Sequence, residues 1–238
     1  GNANAQEVVV AVIDGGIRAD HPDLAGRIVT NKDGQTIGYD FVPYSVTTPD
    51  GEKLDNFGLD DDGEDGNPND PGDGWNLSES EDGNSWHGTH VAGVIAAVKD
   101  NGVGIKGVAD KVKILPIRAL GKTVCEKGVD GKPINCVASG TQDSVRKAIQ
   151  YAAKLGDFDK ADHPDVKIIN LSLGFEVTQQ EAAPILAAID AAVAKGILVI
   201  AAAGNDGNEY PKKDGEKEIS FYPAAAEHVL AVGAVGGS

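Results

Sequence analysis

Short apolar runs alternate with stretches of helical periodicity along most of this chain. Apolar runs of strand length that are rich in Val, Ile and Leu are typical of strands buried on both faces of a sheet. Helical stretches between such strands indicate crossovers that keep the strands parallel. We therefore predict an α/β fold of three layers, in which helices cover both faces of a mostly parallel, twisted sheet. The predicted strands are residues 7–13, 111–119, 166–173, 196–203 and 229–235, and the predicted helices are residues 87–98, 140–155 and 180–195.

Polar residues lie at or just beyond the carboxyl ends of three of these predicted strands. Asp14 ends the first strand, Ser172 lies at the end of the third, and Asn205 follows the fourth. In open parallel sheets, ligands bind beyond the carboxyl ends of the strands. We therefore expect these three residues to share one edge of the sheet and to contribute to a site there.

The first predicted helix begins at His87 and has neither a charged residue nor Pro from Gly88 to Val98. His90, Gly93 and Ala97 share one stripe of this helix, which predicts a helix that is buried on most of its sides. Since a loop-like segment precedes it, His87 falls in the first turn. That position suits proton transfer, and an ordinary surface histidine is the alternative interpretation.

Asp14, His87 and Asn205 together have the chemistry of an acyl-transfer site. A carboxylate that accepts a proton from one imidazole nitrogen fixes the tautomer and stabilises the protonated ring. The second nitrogen is then free to take a proton from a nucleophile. A nearby amide such as that of Asn205 can donate a hydrogen bond to a developing oxyanion.

Composition excludes several other classes of function. The chain has 37 acidic and 21 basic residues and a net charge of −16. Such a field repels nucleic acids and anionic membranes and favours cation binding, so we expect neither nucleic acid nor membrane as a partner. No apolar run approaches the roughly 20 residues of a membrane-spanning helix. The chain contains no Met and no signal peptide, so we expect it to begin after processing.

Two cysteines, Cys125 and Cys136, bracket a short polar segment in a chain that has no other cysteine. We predict that they pair as a disulfide, in preference to catalysis or metal binding. A disulfide indicates an oxidising compartment, so we expect a secreted, extracellular or periplasmic protein.

The chain resembles the subtilisin-like serine proteases (peptidase family S8) in four segments that occur in the family's order. Residues 12–17 resemble the family's Asp segment, and residues 87–93 match its His segment throughout. Residues 169–174 resemble its substrate-binding strand, and residues 202–207 its oxyanion Asn segment. Residues 222–224 and 229–234 are similar to the stretch that follows, so the resemblance covers nearly the whole chain, 1–238, as one catalytic domain.

This resemblance implies roles for individual residues. Asp14 orients His87, which acts as general base and then as general acid, and Asn205 helps to bind the oxyanion. The expected partners are a peptide or protein substrate and a propeptide. An extended peptide would pair with the substrate-binding residues through backbone hydrogen bonds. The implied substrate-binding residues are Leu120, Gly121, Ser172, Leu173, Gly174, Ala203 and Gly204.

The sequence departs from the family pattern in two places. Gly15 replaces the Ser or Thr that usually follows the Asp. None of the nine serines lies in the Gly-Thr-Ser-x-Ala context of the family's nucleophile. We therefore expect a catalytic domain that is incomplete at its C-terminus, inactive alone, with the nucleophile encoded downstream.

The resemblance also implies a structural calcium ion. Asp23 matches a carboxylate that holds calcium together with the loop after the His-bearing helix, here residues 99–105. The expected oxygen ligands are those of Asp23 and Asn101 and the backbone near Val103 and Ile105. An ordinary Asx turn is the alternative at Asp23. For the acidic residues 60–66, a second calcium loop and a solvated loop both remain open, because the EF-hand spacing is absent.

Two other functions compete with a protease. One is a non-catalytic subtilisin-like binding or scaffold domain that lacks the serine altogether. The other is a Rossmann-type nucleotide-binding domain, since the first predicted strand ends in Asp14-Gly15-Gly16. The nucleotide-binding alternative is disfavoured because no G-x-G-x-x-G turn opens a helix after that strand.

Overall fold

The computed structural model describes residues 7–48, 51–74, 84–127, 133–205, 210–215 and 217–235, with backbone alone for residues 124–127 and 133–137. Thirteen strands and three α-helices lie in these described residues. The strands are β1 Val8–Asp14, β2 Tyr39–Asp40, β3 Ser45–Thr47, β4 Lys53–Asp55, β5 Val112–Arg118, β6 Thr123–Lys127, β7 Pro133–Ala138, β8 Val166–Leu171, β9 Phe175–Val177, β10 Leu198–Ala202, β11 Lys212–Asp214, β12 Lys217–Tyr222 and β13 Val229–Val232; the helices are α1 His87–Ala96, α2 Gln142–Ala152 and α3 Gln179–Ala194.

Six strands form a parallel sheet in the order β13-β10-β8-β1-β5-β2. β1 lies inside the sheet, paired with β5 on one side and with β8 on the other. Its apolar residues alternate between two cores, since Ala11 and Ile13 face one side and Val10 and Val12 face the other. Burial on both faces explains why this strand is an uninterrupted apolar run.

Helices cover both faces of the sheet and complete three layers. α2 and α3 pack on the face that holds Ala11 and Ile13, and α1 packs on the opposite face. Thr141 caps α2 through its hydroxyl, and Thr178 forms a capping box with Glu181 at the start of α3. The predicted three-layer α/β fold is therefore confirmed.

Smaller antiparallel units surround the main sheet. β9, β12 and β11 form a three-stranded sheet, while β3 pairs with β4 and β6 pairs with β7. These strands are not predicted from the sequence, because each is short and few of them form apolar runs. Within the described residues, no helix combines the length and the apolar character that crossing a membrane requires.

The prediction that the helix at His87 is buried on most sides is wrong. The buried residues of α1 are Gly88, Ala92 and Ala96, spaced four apart on one face. His90 is exposed and Val94 is 48 % exposed on the remainder of the helix. Small residues were needed on one face only, where the helix approaches β1.

A buried arginine ties the acidic segment after β4 to the main sheet. Arg118, the last residue of β5, is fully buried and contacts the carboxylates of Asp40 and Asp60 and the carbonyl oxygen of Gly58. Burial raises the pKa of Asp40 to about 7, although the charge of Arg118 acts to lower it. Asp60 is thus bound to the fold, so residues 60–66 are not simply a solvated loop. Within the described residues, no group of three or more acidic, His or Cys side chains is arranged to hold a metal ion.

Replacing Arg118 with Met should strongly destabilise the chain, because Asp40 would lose its buried cationic partner. We expect the free energy of unfolding to fall by about 3–5 kcal/mol at neutral pH, measured by urea denaturation. Arg146→Met is the matched control, since its partner Asp143 is exposed and such pairs contribute about 0–1 kcal/mol. Equal losses in the two variants would contradict the role of Arg118.

Candidate active site

Asp14 and His87 are joined by a hydrogen bond between β1 and α1. The Nδ1 atom of His87 lies 2.8 Å from Oδ1 and 3.0 Å from Oδ2 of Asp14. The Asp14 side chain is fully buried, and the Gly15 N–H also donates to its Oδ1 at 2.7 Å. The His87 side chain is 48 % exposed, and the described residues give its Nε2 atom no partner. One ring nitrogen is therefore fixed and the other is available for proton transfer.

The carboxylate of Asp14 makes His87 a stronger base than a free histidine. The hydrogen bond to Asp14 raises the pKa of His87, burial lowers it, and the negative charges of Asp14 and Asp73 raise it again, with a net increase above 6.5. In the neutral ring, a proton on Nδ1 satisfies Asp14 and leaves the lone pair on Nε2. This is the tautomer that a general base requires.

Two glycines permit close approaches around this hydrogen bond, Gly88 that of α1 to the end of β1 and Gly16 that of the segment at Asp70. A Cβ atom at Gly88 would lie 2.2 Å from the carbonyl oxygen of Gly16 and 3.1 Å from Asp14 Oδ1. Gly16 has a φ of +96°, and a Cβ there would lie 2.9 Å from the backbone of Asp70. A side chain at Gly88 would separate the helix from the strand end, whereas one at Gly16 would displace the segment at Asp70 and would strain a positive φ.

Two carboxylates of the acidic segment hold the residues that lead into α1. Asp70 accepts a hydrogen bond from the Asn84 amide at 2.8 Å, and Asn84 in turn accepts from the Trp86 N–H at 2.8 Å. Asp73 accepts from both the N–H and the hydroxyl of Ser85. Trp86 has a φ of 53°, a left-handed conformation that costs a non-glycine residue about 1–3 kcal/mol. The contacts of these residues are not predicted from the sequence, because an acidic residue in a loop gives no indication of what it contacts.

Residues expected to bind substrate lie at the carboxyl ends of neighbouring strands. Ser172, Leu173 and Gly174 follow β8, while Ala203, Gly204 and Asn205 follow β10. Since β10, β8 and β1 are adjacent in the sheet, both segments lie at the edge that carries Asp14. Ser172, Gly174 and Gly204 are partly exposed, and Asn205 is exposed.

Leu120 and Gly121 lie beside Asp14 but their N–H groups are already used. Leu120 donates to the carbonyl oxygen of Asp14 at 3.2 Å, and Gly121 donates to that of Ser139 at 2.8 Å. Both residues are buried. These two N–H groups are therefore engaged within the chain, whereas Ser172 and Gly174 lie partly exposed at the same edge.

The residues predicted to hold calcium are brought together. Asp23 accepts hydrogen bonds from the Ile105 N–H at 2.8 Å and from the Asn101 amide at 2.9 Å, and these two bonds lower the pKa of its carboxyl. A Cβ at Gly104 would lie 2.3 Å from the Asp23 carboxylate, so the loop folds tightly around it. A carboxylate, an amide oxygen and the carbonyls of Val103 and Ile105 fit the oxygen chemistry of Ca²⁺. Binding would require the Asn101 amide to turn its oxygen towards the ion.

The side chains of Cys125 and Cys136 lie outside the described residues, so their pairing stays a prediction. Their backbones belong to paired strands, β6 and β7. The register of this hairpin shifts between Val124 and Glu126, at Cys125. The predicted polar loop between the cysteines is therefore partly a β-hairpin.

A sequence model of the subtilase family (peptidase family S8) matches residues 5–237, nearly the whole chain. The chain belongs to the subtilase family. The resemblance that the four sequence segments indicate is thus confirmed. The chain is related to the subtilisin-like serine proteases.

Individual subtilases and solved structures match over most of the chain. The extracellular basic protease of Dichelobacter nodosus is 31 % identical over 242 residues, which cover 96 % of this chain and 32 % of the relative. Thermitase from Thermoactinomyces vulgaris is 32 % identical over 223 residues, with coverage of 94 % and 53 %. The structure of a protease from Pseudoalteromonas arctica PAMC 21717 has a TM-score of 0.69 and 29 % identity, covering 97 % of this chain and 57 % of that one. The chain spans about a third to a half of the length of these two curated relatives.

Titration of His87 in this subtilase chain tests the dyad without any need for catalysis. Asp14→Asn should lower the pKa of His87, because it removes the charge and the acceptor that favour the protonated ring. Asp73→Asn should lower this pKa by less, since Asp73 acts on His87 through its charge alone. NMR can follow the ring directly, as the chain has five histidines.

Asp143→Asn, a change on exposed surface, is the control for that titration. A His87 pKa that does not move in Asp14→Asn would contradict the assigned hydrogen bond.

The raised pKa of His87 also makes a pH-dependent contribution to the stability of the fold. This contribution is fully present below pH 6.5 and is lost as the pH rises through the folded-state pKa of His87.

Proposed function

We propose that the protein to which these 238 residues belong is a serine endopeptidase. The observation that carries this proposal is the hydrogen bond between buried Asp14 and half-exposed His87, which leaves Nε2 open. The family and the names of the protease relatives support the same reaction. In this proposal, residues 1–238 form one subtilisin-like catalytic domain that lacks the segment with the nucleophile.

The roles of the residues follow from their chemistry. His87 Nε2 takes the proton of a serine hydroxyl as the serine oxygen attacks the peptide carbonyl carbon, and Asp14 stabilises the protonated ring. The Asn205 amide donates a hydrogen bond to the oxyanion that forms. His87 then gives its proton to the leaving amine, and the acyl-enzyme remains. In the second half, His87 takes a proton from water as the water oxygen attacks the acyl carbon. The bond between that carbon and the serine oxygen then breaks, and His87 returns the proton to the serine oxygen.

The substrate is a peptide or protein in an extended conformation. Ser172 and Gly174 lie partly exposed at the sheet edge next to Asp14, where a peptide backbone can pair with them. In this proposal, Ala203 and Gly204 form the opposite wall of the groove, beside Asn205. Leu120 and Gly121 support the groove from the side of β5, with their N–H groups engaged internally.

The nucleophile in this proposal is a serine outside the 238 residues. None of the nine serines of the chain has the Gly-Thr-Ser-x-Ala context, and the relatives are two to three times as long as the matched segment. An uncovered apolar face supports further chain, since Leu198, Leu230 and Val232 are 45 %, 52 % and 52 % exposed on β10 and β13. Leu230 and Val232 pair with residues on the same face of β10.

Labelling with a fluorophosphonate, which reacts only with an activated serine, tests this function. The full-length protein should hydrolyse peptides and incorporate the label, whereas His87→Ala should do neither. The 238-residue chain alone should remain unlabelled. His228→Ala, an exposed histidine away from the dyad, is the control and should behave as the unmodified protein.

Two results would contradict the endopeptidase proposal. One is a full-length gene without the Gly-Thr-Ser-x-Ala segment. The other is label uptake that persists in His87→Ala. The first would favour the non-catalytic binding or scaffold domain instead.

We further propose a structural Ca²⁺ held by Asp23, Asn101 and the backbone of Val103 and Ile105. Binding to the folded state alone should raise Tm with Ca²⁺ concentration, equivalent to about 2.7 kcal/mol when free Ca²⁺ is a hundredfold above its Kd. Asp23→Asn should abolish this rise, measured by thermal melting after chelation and readdition. Asp20→Asn, an exposed carboxylate nearby, should keep it. A melting curve unaffected by chelation would contradict the site.

We also propose that the protein is secreted and that a propeptide is one of its partners. In this proposal, Cys125 and Cys136 form a disulfide. The names of two relatives, an extracellular basic protease and an extracellular protease, support secretion. The pairing of β6 with β7 supports the disulfide, because it brings the two backbones into one hairpin.

A further inference from the structure

A buried histidine outside the proposed active site contacts two carbonyl oxygens at once. His163 is 5 % exposed and lies in the segment that leads from α2 to β8. Its Nε2 atom lies 2.9 Å from the carbonyl oxygen of Tyr151, in the last turn of α2. Its Nδ1 atom lies 2.8 Å from the carbonyl oxygen of Pro164. Both ring nitrogens therefore face atoms that can only accept a hydrogen bond.

A neutral imidazole cannot donate to both of these carbonyl groups. It carries one N–H and presents a lone pair on its second nitrogen, whereas the protonated ring carries an N–H on each nitrogen. A lone pair at such a short distance from a carbonyl oxygen is repulsive, and a polar group that loses its partner in a buried site is costly. The two contacts are thus satisfied together only when the ring is protonated.

The last turn of α2 supports a positive charge at this position. The partial negative charge at the C-terminus of a helix favours a cation beside it. The Tyr151 ring packs against the imidazole of His163, with 4.8 Å between the ring centres. Burial raises the pKa of Tyr151 to about 12, so its hydroxyl stays neutral in the range in which a histidine titrates.

Charged side chains of both signs lie around this site. They are Asp162 and Asp165 in the same segment, Lys154 after α2, Lys167 on β8 and Lys195 after α3. Asp165 interacts with the charge of His163 and also pairs with Lys154 at 3.2 Å. These opposite charges offset one another in part, whereas the two carbonyl groups contact the ring nitrogens directly. The carbonyl contacts therefore distinguish the protonated ring from the neutral one.

We propose that His163 is a pH-dependent clamp, which ties α2 to the segment before β8 when it is protonated and releases the Pro164 carbonyl when it is neutral. The neutral ring keeps its proton on Nε2, because the contact with Tyr151 is buried. The contact with Pro164 is partly exposed, so water can replace the lost donor there. Since β8 runs parallel to β1, the clamp lies at the sheet edge opposite to Asp14 and acts on the stability of the fold, apart from His87.

The pH dependence of thermal stability tests the clamp on the full-length protein. The protonated ring makes two hydrogen bonds in the folded state that it lacks in the unfolded chain, so its contribution is largest at low pH and falls as the ring loses its proton, which in a free histidine occurs at about pH 6.5. The loss of Tm in His163→Gln should therefore be greater at about pH 5 than at about pH 8, by about 3 °C or more. The contribution of His87 is common to both proteins and cancels. His228→Gln, at an exposed histidine, is the control and should show no such difference.

The ¹⁵N spectrum of the His163 ring in the unmodified protein is a second test, which does not require a folded variant. The ring can be assigned through its contact with the Tyr151 ring. Both nitrogens should be protonated at about pH 5, whereas Nε2 alone should be protonated at about pH 8. At the higher pH, the N–H groups of Ala161 and His163, which donate to Phe158 and Ala161, should also lose protection against hydrogen exchange.

Three results would overturn the proposal. One is a ring that has the same protonation state at both pH values. Another is a neutral ring with its proton on Nδ1, because the Tyr151 carbonyl would then be the one released. The third is a ring that loses its proton while the Tm difference between the unmodified protein and a folded His163→Gln variant, and the protection of the segment, both stay constant.

Discussion

The hydrogen bond between Asp14 and His87 sets the conditions for much of the structure around it. It joins a strand end to a helix start, so α1 must approach β1 more closely than side chains usually permit. Gly88 satisfies that requirement, since a Cβ there would lie 2.2 Å from the carbonyl oxygen of Gly16. A buried carboxylate also needs donors, and Asp14 obtains them from His87 and the Gly15 N–H. The close approach of α1 to β1 and the stabilisation of the buried Asp14 carboxylate therefore both depend on the residues at this contact.

Some of the acidic residues hold the structure around this contact, while many others lie on the surface. Asp70 and Asp73 hold the segment that leads into α1, including Trp86 in its left-handed conformation. Arg118, in register with Asp14 on the neighbouring strand, ties Asp40 and Asp60 to the sheet. A net charge of −16 thus includes carboxylates that are paired inside the fold, where the loss of a partner costs more than on the surface.

Sequence periodicity predicted the three helices and five of the six strands of the central sheet, but not the two-residue strand β2. A strand that is buried on both faces is a continuous run of Val, Ile, Leu and Ala, whereas a helix that is buried on one face shows apolar residues at helical spacing. Periodicity does not predict short strands such as β9 and β12, which lack an apolar run, and it did not predict the exposed side of α1. Asp14 and His87 were found because their residue types and the segments around them restrict their chemistry.

The central claim is that Asp14 fixes His87 in the tautomer of a general base. The most direct test is the ¹⁵N spectrum of the His87 ring at a pH well above its pKa, where the ring is neutral. A protonated Nδ1 and an unprotonated Nε2 are expected, because Nδ1 lies 2.8 Å from the Asp14 carboxylate. A neutral ring that carries its proton on Nε2 would contradict the claim, since Nδ1 would then have no hydrogen to donate to Asp14 and Nε2 no lone pair to accept one.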